Sequence, residues 1–246
     1  MKTDKERNYA VDKEEFLKTI ISDNKTPLSN IVDNFSKYVS RQQLSRFLVR
    51  HELFKKVLNV KGSIVECGLF AGDGLMSWAQ LSAIYEPFNY HREIIGFDTF
   101  EGFPHISEED MGSGKNENAV VGGLYNDSYK ELTGCIDLYD QNRVLSHISK
   151  IKLIKGDFIE TGRKYIEDNK HLLISLLYMD FDTYKPTKEA LELFLPRMSK
   201  GAILAFDQIN NPDWPGETLA LLEELNLRKS KIEQFCFDPN MSYIVL

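Results

Sequence analysis

Residues 64–74 read Ile64-Val65-Glu66-Cys67-Gly68-Leu69-Phe70-Ala71-Gly72-Asp73-Gly74: a short apolar run, a glycine-containing turn, and the opening of a helix. The glycines let the backbone approach a neighbour or ligand closely at the step from strand to helix. Their spacing, Gly68-x-x-x-Gly72-x-Gly74, departs from the GxGxxG fingerprint of dinucleotide-binding folds, so the stretch taken alone also reads as a tight structural turn.

Working outward, the same alternation of apolar run and helical segment recurs. Residues 93–97, 151–154, 172–179 and 202–206 are further strand candidates, and several are continuously apolar, as expected for strands covered on both faces of a mostly parallel sheet. One helix starts at Pro186 and places Ala190, Leu191, Phe194, Leu195 and Met198 on one stripe before Gly201. Another follows Pro215-Gly216 and carries Leu219, Leu222 and Leu225. The chain closes with strand-like pieces at 231–237 and 241–246, joined by a turn at Asp238-Pro239-Asn240. The pattern predicts an α/β fold: an open, doubly wound, seven-stranded sheet with an antiparallel C-terminal hairpin.

Upstream of residue 60 the periodicity is helical, with Leu44, Phe47, Leu48, His51, Phe54, Val57 and Leu58 at three-to-four spacing and a break at Lys25-Thr26-Pro27. The expected division is therefore an N-terminal helical cap, residues 1–60, and a cofactor-binding domain, residues 61–246. Between Phe100 and Asp137 periodicity is lost, and a segment of that length inside a compact domain reads as a lid or as disorder. Gly112-Ser113-Gly114-Lys115 does not make a phosphate loop: Glu109 stands where the first glycine belongs, and Asn116 replaces the Ser/Thr.

Composition narrows the function classes. The 246 residues carry 30 Lys+Arg against 37 Asp+Glu, a formal net charge of −7, which removes the basic field that nucleic acid or anionic lipid would need. Cys67, Cys135 and Cys236 are far apart and form no CxxC pair, which argues against disulfides and thiolate metal sites. No apolar run has the length of a signal peptide or a membrane span, so the expectation is a cytoplasmic protein with no membrane partner.

Ligands of open α/β sheets sit beyond the carboxyl ends of the strands, and here those positions are acidic. Asp98, at the end of the second strand, suits a ribose diol. Asp157, after the third, could accept a hydrogen bond from an exocyclic amine or cap the following helix. Asp180 and Asp207 end neighbouring strands, where two carboxylates repel unless a cation or proton intervenes. With the carbonyl of Gln208 they make an oxygen set suited to Mg²⁺, and Asp182 could then act as a general base. The alternative is that Asp182 or Thr183 caps the helix at Pro186 and Asp207 merely ends a strand. His105 could touch substrate or be an exposed loop histidine.

Glu66-Cys67-Gly68, Phe97-Asp98-Thr99-Phe100-Glu101-Gly102-Phe103-Pro104, Met179-Asp180-Phe181-Asp182-Thr183-Tyr184-Lys185-Pro186-Thr187 and residues 201–208 resemble the macrocin O-methyltransferase (TylF-type) family over about residues 38–246. The resemblance implies a Rossmann-like class I fold, S-adenosylmethionine as cofactor, Mg²⁺, and a small-molecule acceptor whose sugar hydroxyl is methylated. By position it implies that Glu66, Gly68 and the turn through Gly72 hold the methionine part, and Asp98 the ribose. Thr99 and Phe100 would flank the adenine, with Asp157 and Phe158 receiving its edge. Metal would lie on Asp180, Asp207 and Gln208, with Asp180 also beside the cofactor and Asp182 as base. Tyr38, with Ser40 and Arg41, stands where family members cap the cofactor; ordinary helix chemistry also explains these three. Homo-oligomers are implied as well. One departure is plain: the family usually has an Asp where this chain has Gln208, which removes a negative charge from the metal set. Two other readings stay open from the sequence, a nicotinamide-dependent oxidoreductase using Asp98, and a binding protein that keeps the methyltransferase fold with reduced catalysis.

Overall fold

The structure, a computed structural model, describes residues 4–23, 26–112 and 116–246. Ser113, Gly114 and Lys115 of the rejected phosphate-loop match, and Lys25 of the N-terminal break, lie outside the described residues. The chain forms two compact units, Met1–Leu44 and Ser45–Leu246. The first contains α1 (Asp4–Ser22), α2 (Leu28–Asp33) and the start of α3 (Arg41–Val57). Ser40 opens α3 with a reciprocal cap: its hydroxyl accepts the Gln43 N–H at 3.2 Å, and the Gln43 side chain accepts the Ser40 N–H at 3.0 Å. Residues 45–57 belong to the second unit, where Val49, Leu53, Phe54 and Val57 are wholly buried.

The second unit is a seven-stranded sheet. Its strands are β1 (Ser63–Cys67), β2 (Ile94–Asp98), β3 (Ile151–Lys155), β4 (Ile174–Met179), β5 (Met198–Phe206), β6 (Ile232–Phe235) and β7 (Asp238–Val245), in the order β3-β2-β1-β4-β5-β7-β6. The first five are parallel and β7 runs antiparallel between β5 and β6, as the sequence predicts. Successive residues feed opposite faces. Ile64, Leu176 and Ile203 pack with α3, α4 (Asp73–Tyr85) and α5 (Tyr129–Gln141). Val65, Leu177 and Leu204 pack with α6 (Phe158–Asp168), α7 (Tyr184–Phe194) and α8 (Gly216–Glu224). Two covered faces explain the continuous apolar runs.

Three local expectations are corrected. The hairpin turns at Cys236-Phe237, and Asp238-Pro239-Asn240 begin β7. Between the pairs Gln234↔Ser242 and Phe235↔Asp238 the register shifts, so Pro239, which has no N–H to give a ladder, falls in a bulge. In α8 the buried side is Gly216, Glu217, Ala220 and Leu221, whereas Leu219 and Leu222 are exposed, because the small residues let α8 lie close to α7. After Phe100 the described residues hold a 3-10 turn, Glu108–Asp110, and α5 begins at Tyr129, well before Asp137.

Register puts the site at one edge. Cys67 pairs with Phe97 and Met179, Met179 with Phe206, and Asp98 with Lys155, so Gly68, Asp98, Gly156-Asp157, Asp180 and Asp207 emerge side by side.

Candidate active site

A cavity of about 490 Å³ lies along this edge, a size that suits a cofactor-scale ligand. Its wall includes Glu66, Gly68, Asp98, Thr99, Asp157, Phe158, Asp180, Asp182, Asp207 and Gln208 of the sequence-predicted set, together with Arg46, Arg50 and Trp214.

The β1–α4 turn is shaped by close approach. Gly68 has φ +90°, and a Cβ there would stand 2.0 Å from the Asp180 carbonyl oxygen. A Cβ on Gly74 would meet the Glu66 carboxylate at 1.8 Å, so that carboxylate lies directly under the first turn of α4. Gly72, at φ +82°, precedes α4 with its Cα facing the Leu132 side chain.

Glu66 is 2% exposed and lines the cavity, and its Oε2 has no hydrogen-bond partner. Burial pushes its pKa up to about 8 against the opposing pull of Arg50. The Trp78 indole N–H also pulls it down, yet falls short of hydrogen-bond geometry. Arg50, buried on α3, pairs with Asp73 at 2.5 Å.

Asp98 holds the turn. Its Oδ2 accepts the N–H groups of Leu69 at 2.6 Å and Phe70 at 2.9 Å, and its Oδ1 accepts that of Phe100 at 2.6 Å. Thr99 donates to the Gly102 carbonyl at 2.7 Å. Phe100 departs from expectation: at φ +57° its ring turns into the core, edge-on to Tyr129, and is 2% exposed. Asp157 caps α6 by accepting the Ile159 N–H at 3.0 Å, and its other oxygen meets His105 Nε2 at 2.8 Å. The Phe158 ring packs between Phe97, Phe181 and Phe194. Tyr38 belongs to the N-terminal unit, where it follows the 3-10 turn Phe35–Lys37 and is half-buried.

The other half of the cavity is a carboxylate cluster. Asp182 is 8% exposed, with its backbone at φ +61°, a left-handed conformation that costs a non-glycine residue on the order of 1 kcal/mol. Its N–H and that of Phe181 donate to Glu217 Oε1 at 3.2 and 3.0 Å, and its Oδ1 accepts the Gln208 side-chain amide. Burial, then the charge of Asp207, push the Asp182 pKa up to about 7, opposed by the Gln208 hydrogen bond and Arg46. Asp180 is half-buried but hemmed in by carboxylates. Burial, then Asp207 and Asp182, hold it well above the usual carboxylate range. Asp207 accepts from Arg46 Nη2 at 2.9 Å and from the Tyr178 hydroxyl at 3.1 Å.

The sequence from 65 to 209, more than half of the chain, matches the methyltransferase domain model. The structure of CalS11, a calicheamicin methyltransferase, superimposes with a TM-score of 0.91 at 31% identity, covering 100% of this chain and 94% of that one. The chain belongs to the methyltransferase domain family. A second, apo structure of CalS11, described as a TDP-rhamnose 3'-O-methyltransferase, gives a TM-score of 0.82 at 30% identity over 100% and 96% of the two chains. This likeness places the methyltransferase among the O-methyltransferases. NovP, an O-methyltransferase, shares the fold, with a TM-score of 0.63 at 20% identity over 81% of this chain and 78% of NovP. No curated protein matches the chain.

S-adenosylmethionine fits the residues present. Glu66 lines the cavity and keeps a buried, unpaired carboxylate oxygen, which suits a cationic amine, and the polar rim from Asp98 to Asp157 suits a nucleoside. Mg²⁺ does not fit the set Asp180, Asp207 and Gln208 as it stands. Both Asp207 oxygens are engaged. The Gln208 amide faces Asp182, and its carbonyl accepts from Asn211 at 2.9 Å. Among the described residues no three His, Cys, Asp or Glu side chains converge so as to hold a metal ion.

After Phe100 the described residues are fastened at several points. Phe103 exchanges backbone hydrogen bonds with Gly122 and Gly123 at 2.9 and 3.1 Å, and its ring meets Trp214 at 5.5 Å. Ser128 donates to the Phe70 carbonyl at 2.6 Å. Asp110, 1% exposed, accepts the Tyr184 N–H at 2.6 Å with Oδ1, and the Ser107 N–H and hydroxyl at 2.8 Å each with Oδ2. Asp110 thus caps α7 from a distant segment, since Thr183, at the N-cap, makes no side-chain cap.

Arg46, Arg50, Glu217, Asp110 and Trp214 were not identified from the sequence. Two carry a signal in retrospect: Arg46 and Arg50 stand one helical turn apart on α3, beside the apolar residues Val49, Leu53 and Val57.

Among the described residues no helix is long and apolar enough to cross a membrane.

Proposed function

We propose that this enzyme transfers the methyl group of S-adenosylmethionine to a hydroxyl of a sugar, free, nucleotide-linked or part of a glycosylated small molecule, with Asp182 as general base. The observation that carries the reading is Asp182, a buried carboxylate in the cavity wall fixed through its backbone by Glu217 and through its side chain by Gln208, with its pKa pushed up to about 7. A base is most effective when its pKa lies near the working pH, and one placed in this way contributes about 10²–10⁴-fold. The name of CalS11, a TDP-rhamnose 3'-O-methyltransferase, supports a sugar acceptor, and the TylF-type motifs support the same class.

Bound S-adenosylmethionine supplies an electrophilic methyl on a sulfonium. The chain's own residues do the rest. Glu66, with Gly68 and Gly72 in the turn below it, would receive the methionine end. Asp98 would take the ribose, and Asp157 with the first residues of α6 the adenine edge, with Thr99 beside them. Asp182 removes the proton of the acceptor hydroxyl as its oxygen attacks, and Phe103, Leu124 and Trp214 in the cavity wall exclude water over the acceptor. A role for Tyr38 at the cofactor and assembly into homo-oligomers rest on the resemblance alone.

The test is calorimetry with S-adenosylhomocysteine, followed by an activity screen of nucleotide sugars and glycosides read by a mass gain of one methyl. Binding without any methylated sugar would retain the cofactor assignment and overturn the acceptor class. No binding would overturn the whole reading.

A further inference from the structure

We propose that the guanidinium of Arg46 is the resident cation of the carboxylate cluster Asp180, Asp182 and Asp207, and that the enzyme turns over without a divalent metal. The inference rests on the methyltransferase reading above for its turnover arm only.

The cluster needs positive charge. Asp180 and Asp207 follow adjacent parallel strands in register at Met179↔Phe206, and Asp182 follows in a left-handed turn, so three carboxylates line one cavity. Buried like charges cannot all remain ionised without a counter-charge. Arg46 supplies one. Its Nη2 meets Asp207 Oδ2 at 2.9 Å, and its side chain is partly exposed while that of Asp207 is buried.

The arrangement also consumes the donors a metal would use. Asp207 gives one oxygen to Arg46 and the other to Tyr178. Gln208, neutral where a second acid would be, gives its amide to Asp182 and its carbonyl to Asn211. Mg²⁺ requires near-ideal octahedral geometry and is poorly served by one half-buried carboxylate and committed neighbours. A guanidinium is weakly hydrated and matches carboxylate geometry, so it suits a partly buried carboxylate such as Asp207. α3 holds it in place: Arg50, one turn on, is buried against Asp73, and Val49 and Leu53 fix the helix to the sheet. Arg46 lines the cavity beside Asp182, where negative charge develops as the acceptor hydroxyl loses its proton, and a fixed cation there lowers the barrier without reorganising.

Two measurements test this. First, the full-length enzyme with S-adenosylhomocysteine is titrated with Mn²⁺ and followed by electron paramagnetic resonance, which needs no acceptor. The expected result is no stoichiometric bound Mn²⁺. One equivalent bound, and lost in Asp207→Asn, overturns the proposal even if the acceptor is never found. Second, with an acceptor in hand, turnover is expected to resist a strong chelator. Arg46→Met should lower kcat by about 100-fold while S-adenosylhomocysteine affinity and the circular dichroism spectrum stay as in the wild type, and Arg46→Lys should recover part of the loss. Chelator-sensitive turnover restored by Mg²⁺, or wild-type kcat in Arg46→Met, overturns it. Absence of methyl transfer to any hydroxyl would instead count against the function proposed above and leave the Mn²⁺ result as the judge.

Discussion

Glu217 Oε1 accepts the backbone N–H of Asp182 at 3.2 Å, together with that of Phe181 at 3.0 Å, and so holds from α8 the left-handed turn on which the proposed base is mounted. Burial, with Asp182 and Asp207 nearby, raises the Glu217 pKa well above the usual carboxylate range and so favours its neutral form. A glutamine presents the same carbonyl oxygen without charge. Glu217→Gln is therefore expected to keep kcat within a few-fold. Glu217→Ala strands two buried donors at a cost of about 1–3 kcal/mol each and lets the turn relax. Its kcat should fall far more than its S-adenosylhomocysteine affinity. Comparing kcat and the melting temperature of the two variants checks this, and equal loss in both would show that the charge, not the oxygen, matters.

The pH profile of turnover should carry the signature of Asp182. With its pKa pushed up to about 7, the base is protonated and idle in acid, so kcat is expected to rise through pH 7 and level off above it. Gln208 donates to the ionised carboxylate and pulls that pKa down. Gln208→Leu should therefore move the rising limb to higher pH. Asp182→Asn should lose about 10²–10⁴ in kcat and keep cofactor affinity. A profile that does not shift in Gln208→Leu would separate Asp182 from the titrating group.

How much of this was legible in the sequence follows from where each residue acts. Glu66, Asp98, Asp157, Asp180 and Asp207 were readable because a parallel strand delivers the residue after it to a fixed edge, and strand ends show as the limits of apolar runs. Arg46, Glu217 and Asp110 act across the fold, through helix packing and a loop anchor, and no local pattern encodes which acidic or basic residue is turned inward. Phe100 misled for a backbone reason, since its positive φ reverses the side chain from cavity to core. For the metal set, strand-end carboxylates imply a cation without saying whether an ion or a side chain supplies it.

Glu66 makes a prediction about stability. Its pKa is about 8 when folded and near 4.5 when unfolded. Between those values the native state holds a proton that the unfolded state has released, so stability falls as pH rises across that window, by up to roughly 1.4 kcal/mol per pH unit. Asp182, raised to about 7, adds a slope of the same sign over the lower part of the range. The melting temperature of the ligand-free enzyme should therefore drop between pH 5 and pH 8. Glu66→Gln is expected to flatten the drop and to weaken S-adenosylmethionine binding. An unchanged slope in that variant would show that Glu66 is ionised in the native state.

Asp98 has two duties, and they can be separated. Its carboxylate accepts three backbone N–H groups that shape the turns after β1 and β2, and the same group lines the cavity where a ribose would lie. Asp98→Ala removes both, and S-adenosylhomocysteine affinity should fall by about 10–100-fold, the worth of hydrogen bonds to a charged group. The melting temperature should fall with it. Asp98→Glu keeps the charge but displaces it by one methylene, so it should lose turn geometry without losing attraction. Calorimetry beside thermal unfolding checks the pair. Loss of stability with unaltered affinity would leave Asp98 as a structural residue alone.

Asp110 joins the acceptor side of the cavity to the helix behind the base. One of its oxygens caps α7 at Tyr184, two residues past Asp182, and the other holds the turn at Ser107. Close by, a Cβ on Gly216 would stand 2.4 Å from Asp110 Oδ1, so α8 also presses on this carboxylate. Asp110→Ala removes the cap, worth about 1 kcal/mol, and frees the segment that carries Phe103 and Asn118 over the cavity. The expected result is a raised KM for the acceptor, faster proteolysis between residues 104 and 126, and S-adenosylhomocysteine affinity that changes less than the acceptor KM. If acceptor KM is unmoved while proteolysis accelerates, the fastened segment does not touch the acceptor, and the specificity surface must be sought around Trp214 and α8 instead.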